Sequence, residues 1–348
     1  MNYHKSNFLK LLSKESTSKI PLYCPGYPEE NFIYNYIKSY NLDPNKKKLI
    51  LNNKSYYLIE KMGFDAISLW DFRKGKGGYI LNDQRRVDGW GRIYKGDWYM
   101  WDGVFKDSNI VQNWSHLNLP SEDNLKLLKD FLNNVNNNLD YVISLPGLFE
   151  KTWQSMGFFY FAKSLKKNID LVTTVTKFFS DYLKTLIEVL QNTGATIFLI
   201  ADDYGYKNRT FIAKSVWKKL FYEEYTEIIN FIHKRNQKII IHSDGYISNM
   251  INIFIELGFD GIQSLEPNAG VNIFALFKKY QDQICFIGNI DISFLSFGTP
   301  LQIKDYVVKL IQKARKYNCH LVISPTQQIN SSCIPENINA MIETTINI

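Results

Sequence analysis

Cysteine is scarce in this chain of 348 residues: four are present, Cys24, Cys285, Cys319 and Cys333, and no two form a CxxC pair. Neither a zinc ribbon nor a disulfide framework is therefore indicated. Arginine is also sparse, with seven in a chain of net charge +7, and only Arg85 and Arg86 are adjacent. Phosphate-reading surfaces concentrate arginine, so the scattered lysines argue against a nucleic-acid partner. No apolar run approaches the roughly 18 residues of a membrane span. Met1 to Ser18 is charged and polar and lacks the apolar core of a signal peptide. These absences read as a soluble, cytoplasmic protein with no membrane association.

Apolar residues make up 45% of the chain and aromatics 15%, enough for a sizeable core. The clearest stretch is Lys238-Ile-Ile-Ile-His-Ser-Asp-Gly245. Three isoleucines are too few for a helix and suit a strand buried on both faces, as in parallel sheets. The strand then stops on His242, Ser243 and Asp244. The pattern recurs: Ile20–Cys24, Phe64–Trp70, Leu139–Leu145, Ala195–Ala201, Asp260–Leu265, Ile284–Gly288 and His320–Ile323 read as further strands. Helical stretches lie between most of them, including 29–40, 170–191 and one opened by Thr299-Pro300-Leu301-Gln302 with capping-box chemistry. Eight such units without a Gly-rich dinucleotide fingerprint predict an α/β fold, a (β/α)8 TIM barrel, over an open sheet. One barrel domain accounts for 1–348. Residues 1–18 form an N-terminal extension with a short helix over 4–14. The Gly- and Trp-rich stretch 73–105 is expected as a β-hairpin insertion after the second strand, close to the barrel mouth.

Ligands of such barrels sit outside the carboxyl ends of the strands. Five successive strands end there in polar residues: Asp202 and Asp203, His242 and Asp244, Glu266, Asn289 and Asp291, and Gln327. Any one of them could instead cap a helix or make a turn, as Asn and Asp after strands often do. Together they predict a carboxylate-rich pocket with one histidine, suited to metal binding or acid–base work. The candidate catalytic residues are Asp202, Asp203, His242, Asp244 and Glu266. Tyr204, Asn289, Asp291 and Gln327 are candidate substrate contacts, with Trp90 and Arg92 from the insertion. Zinc would take His242 and Asp244, with Glu266 or one of Asp202 and Asp203 as third ligand, because Gln327 is neutral and weakly basic.

Several short motifs in one order resemble the uroporphyrinogen decarboxylase superfamily. They are Ile200-Ala-Asp-Asp-Tyr-Gly205, Ile240-Ile-His-Ser-Asp-Gly245, Leu265-Glu-Pro267 with Ala269-Gly270, Gly288-Asn-Ile-Asp291, Gly298-Thr-Pro300 and Pro335-Glu-Asn337. Met62-Gly-Phe-Asp65 and Asp88-Gly-Trp-Gly-Arg92 add to them in the N-terminal half. The superfamily includes cobamide-dependent methyltransferases acting on methanol, methylamines and methoxy-aromatics, and this chain is more similar to that branch. Where true decarboxylases carry an Arg-Gln-Ala-Gly-Arg stretch for substrate carboxylates, this chain has Tyr23-Cys-Pro-Gly-Tyr27. Where they carry Gly-His-Gly, it has Pro325-Thr-Gln-Gln328. The zinc methyltransferases use a His-x-Cys pair and a later cysteine. His242 matches the histidine, while Asp244 and Gln327 stand at the two cysteines. The resemblance implies a methyltransferase moving a methyl group between a small ether, alcohol or amine and a corrinoid (cobalamin-type) on a partner protein. A carboxy-lyase and a non-catalytic ligand-binding barrel are the alternatives.

Overall fold

The computed structural model describes residues 6–42, 50–70, 77–135 and 138–348. Eight parallel strands form one sheet in sequence order: β1 (Tyr23–Cys24), β2 (Ala66–Leu69), β3 (Asp140–Pro146), β4 (Ile197–Ala201), β5 (Lys238–Ser243), β6 (Gly261–Ser264), β7 (Cys285–Ile290) and β8 (Leu321–Pro325). The sheet closes where Leu22 bridges Ile323 and the Ile323 N–H donates to Pro21 O at 3.0 Å. This is the (β/α)8 barrel that the strand count predicts. β1 is shorter than the expected 20–24. The Leu22 N–H donates to the Asp65 carboxylate at 2.8 Å instead of joining a ladder, and Pro21 has no N–H to offer.

The three isoleucines of β5 divide between two cores. Ile239 and Ile241 pack outward with the helices, and Ile240 points into the barrel with Val142, Ile197, Ile287 and Val322. Alternation of this kind is what makes a doubly buried strand read as a continuous apolar run. The barrel floor is closed by α1 (Asn7–Leu12), whose Phe8, Leu11 and Leu12 join the interior cluster. The Phe8 ring stacks on Tyr23 with centroids 5.6 Å apart. This is the helix expected over 4–14. Positions 4–5 lie outside the described residues.

The insertion is more than a hairpin. Gly78–Ile80, Arg86–Asp88, Arg92–Lys95 and Trp98–Gly103 form a four-stranded antiparallel sheet. Its last two strands are the expected hairpin about Lys95-Gly96, with Lys95 paired to Trp98. Positions 73–76 of the expected insertion lie outside the described residues. The sheet leans on α2 (Leu148–Met156), the helix that follows β3. Tyr99 Oη donates to Gln154 O at 2.9 Å, and Trp101 stacks on Trp153 at 5.4 Å. Because α2 starts where β3 ends, the insertion stands at the carboxyl end of the barrel. The Thr299–Gln302 capping box forms as expected. Among the described residues, no helix is long and apolar enough to cross a membrane.

One partly buried carboxyl ties the floor helix to the wall. Ser6 caps α1, accepting from Leu9 N at 3.0 Å, and its hydroxyl donates to Asp140 at the start of β3. Burial, with Asp65 nearby adding repulsion, pushes the Asp140 carboxyl up to about 6 from 3.8, against the opposing effect of the Ser6 hydroxyl. The folded chain then keeps this proton up to pH about 6, whereas the unfolded chain loses it near 4. Stability should therefore fall as pH rises across that window. We expect Asp140→Asn to flatten this part of the profile in urea unfolding between pH 4 and 7. An unchanged slope would remove Asp140 from the account.

Candidate active site

The chain at the carboxyl ends of β4 and β5 brings three ligating groups together. One ligand atom each from Asp203, His242 and Asp244 lies within 4.8 Å of the others. His242 Nε2 is 3.7 Å from Asp203 Oδ1 and 3.6 Å from Asp244 Oδ1. The imidazole is buried, and the two carboxylates are roughly a third exposed, so the cluster opens towards solvent on its acidic side.

Local geometry explains each position. In β4 Ala201 faces the interior, so alternation sends Asp202 outward and returns Asp203 to the mouth. His242 follows Ile240 by two residues and shares its inward face. Gly245, at φ +80°, then turns the chain so tightly that a Cβ there would stand 2.4 Å from the Gly205 backbone. The next strand ends in two left-handed residues, Ser264 at φ 92° and Leu265 at φ 58°. They aim Glu266 back at the cluster, where Oε2 accepts from Gly245 N at 2.6 Å.

Gln327 lies between two acids, its Nε2 donating to Glu266 Oε1 at 2.9 Å and to Asp244 Oδ2 at 3.3 Å. Asp244 Oδ1 also accepts from Ser264 Oγ at 2.9 Å, and Asp203 Oδ1 accepts from Asp244 N at 2.9 Å. Burial and the nearby charge of Asp244 raise the Glu266 carboxyl above the usual carboxylate range. The Gly245 N–H opposes this, while Asp291 and Asp203 add to it. A carboxyl whose proton affinity is raised is suited to proton transfer.

The remaining candidates are placed elsewhere. Asp202 is fully buried against the N-terminus of α2, accepting from Glu150 N at 2.7 Å and Phe149 N at 3.0 Å. Tyr225 and Tyr204 hydroxyls also donate to it, at 2.5 and 2.7 Å. Burial and the Glu150 charge bring its carboxyl up to about 7. Tyr204 is buried with this group, its ring edge-on to Trp217. Asn289 donates to Leu265 O at 2.6 Å and accepts from the Tyr306 hydroxyl, bracing the loop. Asp291 caps the helix Ile292–Phe297 through Ser293 N at 2.8 Å. Trp90 is buried between Phe179 and Tyr182, and Arg92 is paired with Asp88 at 2.7 Å. These residues build the walls around the cluster.

Sequence reasoning passed over Gln263 and Ser264. Gln263 is fully buried in β6 and hydrogen-bonds His242 Nδ1. Its signal was present: an amide in the middle of an apolar strand, in Gly-Ile-Gln-Ser.

The donor set fits a divalent ion. Donors bound at about 2.1 Å to a tetrahedral ion lie about 3.4 Å apart, close to the two His–Asp separations. An imidazole and two carboxylates form a harder set than one with thiolates. His242, Asp203 and Asp244 would hold the ion, with Glu266 beside them.

Residues 151–347 match the family model described as uroporphyrinogen decarboxylase (URO-D). No curated protein is similar enough in sequence to match. Among solved structures, a methyltransferase from Methanosarcina mazei aligns with TM-score 0.70 at 15% identity, over 98% of this chain and 97% of its own. A B12-independent methionine synthase from a Shewanella species, in complex with selenomethionine, aligns with TM-score 0.50 at 13% identity, over 95% and 97%. At these identities the likeness is one of fold.

The close contact of β3 with β4 yields a test of the wall. A Cβ on Gly147 would lie 2.1 Å from Asp202 Cβ and Cγ, so no side chain fits there while Asp202 holds α2. Gly147→Ala should lower stability by about 1–3 kcal/mol, read from the urea midpoint. An unchanged midpoint would mean that Asp202 has room to withdraw and is not fixed to the helix.

Proposed function

Because the chain belongs to the uroporphyrinogen decarboxylase family, we propose that it is a methyltransferase of that family. It moves a methyl group between a small ether, alcohol or amine and a corrinoid carried on a partner protein. The observation that carries this reading is the convergence of Asp203, His242 and Asp244 at the barrel mouth. A zinc-class ion held there would supply Lewis acidity to the heteroatom that bears the methyl group. Glu266 lies beside these ligands, accepting from Gly245 N and Gln327 Nε2, and would be the group that protonates the oxygen or nitrogen left behind. Gln327 orients Glu266 and Asp244 by donating to both.

Two features support this over decarboxylation of a polycarboxylate. Asp203 and Asp244, each roughly a third exposed, give the mouth an acidic face that disfavours a polycarboxylate. The stretch Tyr23–Tyr27 offers no cation: the Tyr23 hydroxyl pairs with Ser68 at 2.5 Å and the Cys24 thiol donates to Gly26 O. Partner docking is supported by exposed aromatics along the same end of the barrel. Trp101, Phe158, Phe211 and Tyr206 follow one another in ring contact, and Trp101 and Tyr206 are more than half exposed. Contiguous exposed apolar surface is the kind that serves as an interaction site.

The test combines metal analysis with a corrinoid-methylation assay on small methoxy, hydroxy and methylamine compounds. His242→Ala should lose both metal and methyl transfer while the barrel stays folded, as read by circular dichroism and a cooperative unfolding transition. Normal metal content and activity in that variant would eliminate this site, and a wild-type protein that takes up no metal would eliminate the ion.

A further inference from the structure

The cluster depends on which nitrogen of His242 carries a proton, and the structure fixes this through a neighbour. Gln263 lies in β6 directly opposite His242 in the strand register, and both are buried. Its Nε2 donates to Thr326 O at 3.1 Å and to Pro325 O at 3.4 Å. Main-chain carbonyls only accept, so the amide NH2 must face β8 and the amide oxygen must face His242. That oxygen also only accepts, so the imidazole donates to it from Nδ1. In the neutral ring His242 Nε2 is then the lone-pair nitrogen, and it is the atom that faces Asp203 and Asp244.

We infer that Gln263 is the positioning residue that makes this cluster a cation site. With Nδ1 protonated, a nitrogen lone pair and two carboxylate oxygens converge with no hydrogen between them, an arrangement that a cation relieves. With the ring in the other tautomer, Nε2–H would donate to the carboxylates, and the same three residues would make a self-satisfied hydrogen-bonded triad. The amide of Gln263 chooses between these two outcomes. Its neighbour Ser264 acts in the same direction, donating to Asp244 Oδ1 and so turning that oxygen towards the ring. The consequence for metal binding rests on the proposed function; the tautomer assignment does not.

The experiment uses full-length, 15N-histidine-labelled protein, stripped of metal with a chelator. Long-range proton–nitrogen correlation reads the His242 tautomer, assigned by its loss in His242→Ala. Wild type should show the Nδ1–H form. Gln263→Leu should shift the ring to Nε2–H, and Gln263→Glu, which keeps an acceptor, should restore Nδ1–H. Zn2+ titration on the same three proteins should show an affinity loss of about 10- to 100-fold for Gln263→Leu and recovery in Gln263→Glu. A wild-type ring in the Nε2–H form overturns the inference. So does a Gln263→Leu protein that keeps the wild-type tautomer and affinity and merely melts earlier. Wild type that shows a Gln263-dependent Nδ1–H tautomer yet binds no Zn2+ keeps the tautomer assignment but overturns the cation site, and with it the metal reading.

Discussion

The site at the barrel mouth depends on an interaction at the other end of the same strands. Asp260, just before β6, accepts from Ile239 N at 2.8 Å, from Lys238 Nζ at 2.9 Å and from His233 Nε2 at 2.9 Å. Its own N–H donates to Ile239 O. This matters because three consecutive isoleucines do not specify a register by themselves: one residue of slip exchanges isoleucine for isoleucine on both faces. The slip would nonetheless turn His242 out of the barrel. Asp260 pins the first turn of β5 to β6, and from that anchor His242 comes to rest opposite Gln263 and Ser243 opposite Ser264. The carboxylate is buried, and three donors offset the loss of its hydration.

A second buried carboxylate performs the corresponding task on the other side of the site. Asp202 and Asp203 are adjacent, and the pleat of β4 gives them opposite duties. Asp203 reaches the cluster, while Asp202 takes the N-terminal N–H groups of α2 and two tyrosine hydroxyls. A helix N-terminus favours an anion, and Gly147 lets the carboxylate come within reach of it. α2 is also the surface on which the insertion sheet rests. The position of the aromatic rim relative to the cluster therefore runs through Asp202, which accounts for a carboxylate at this position without giving it a chemical step.

The fold was legible because its signals are periodic. Runs such as Ala195–Ala201 and Lys238–Ile241, each followed by polar residues, mark parallel strands feeding a common mouth, and all eight appear within a few residues of their expected places. His242, Asp203 and Asp244 were legible as strand-end residues. What a linear pattern does not carry is side-chain direction beyond the strand. Asp202 and Asp203 look equivalent in sequence and are separated only by the pleat. Asp291 and Asn289 look like pocket residues but serve a helix cap and a loop brace. Gln263 escaped notice because its importance comes from the residue opposite it in the sheet, which is 21 positions away in the chain.

The backbone around the cluster is held in conformations that a strand would not choose. Ser264, Leu265 and Asn289, none of them glycine, have φ of 92°, 58° and 71°. Each such residue costs on the order of 1–3 kcal/mol. Hydrogen bonds offset part of this, from Ser264 to Asp244, from Asn289 to Leu265 O and from Tyr306 to Asn289. Relaxing Ser264 and Leu265 to an extended path would carry Glu266 along the strand axis, away from Gly245 N and Gln327. The strained path instead brings a third carboxyl against Asp203 and Asp244, where burial and then the neighbouring acids raise the Glu266 proton affinity. Neither the strain nor the crowding of acids stabilises the barrel. Both become favourable only when positive charge enters, whether as an ion between His242 and the two aspartates or as a proton on Glu266. The arrangement is therefore better explained by chemistry at the mouth than by the needs of the fold.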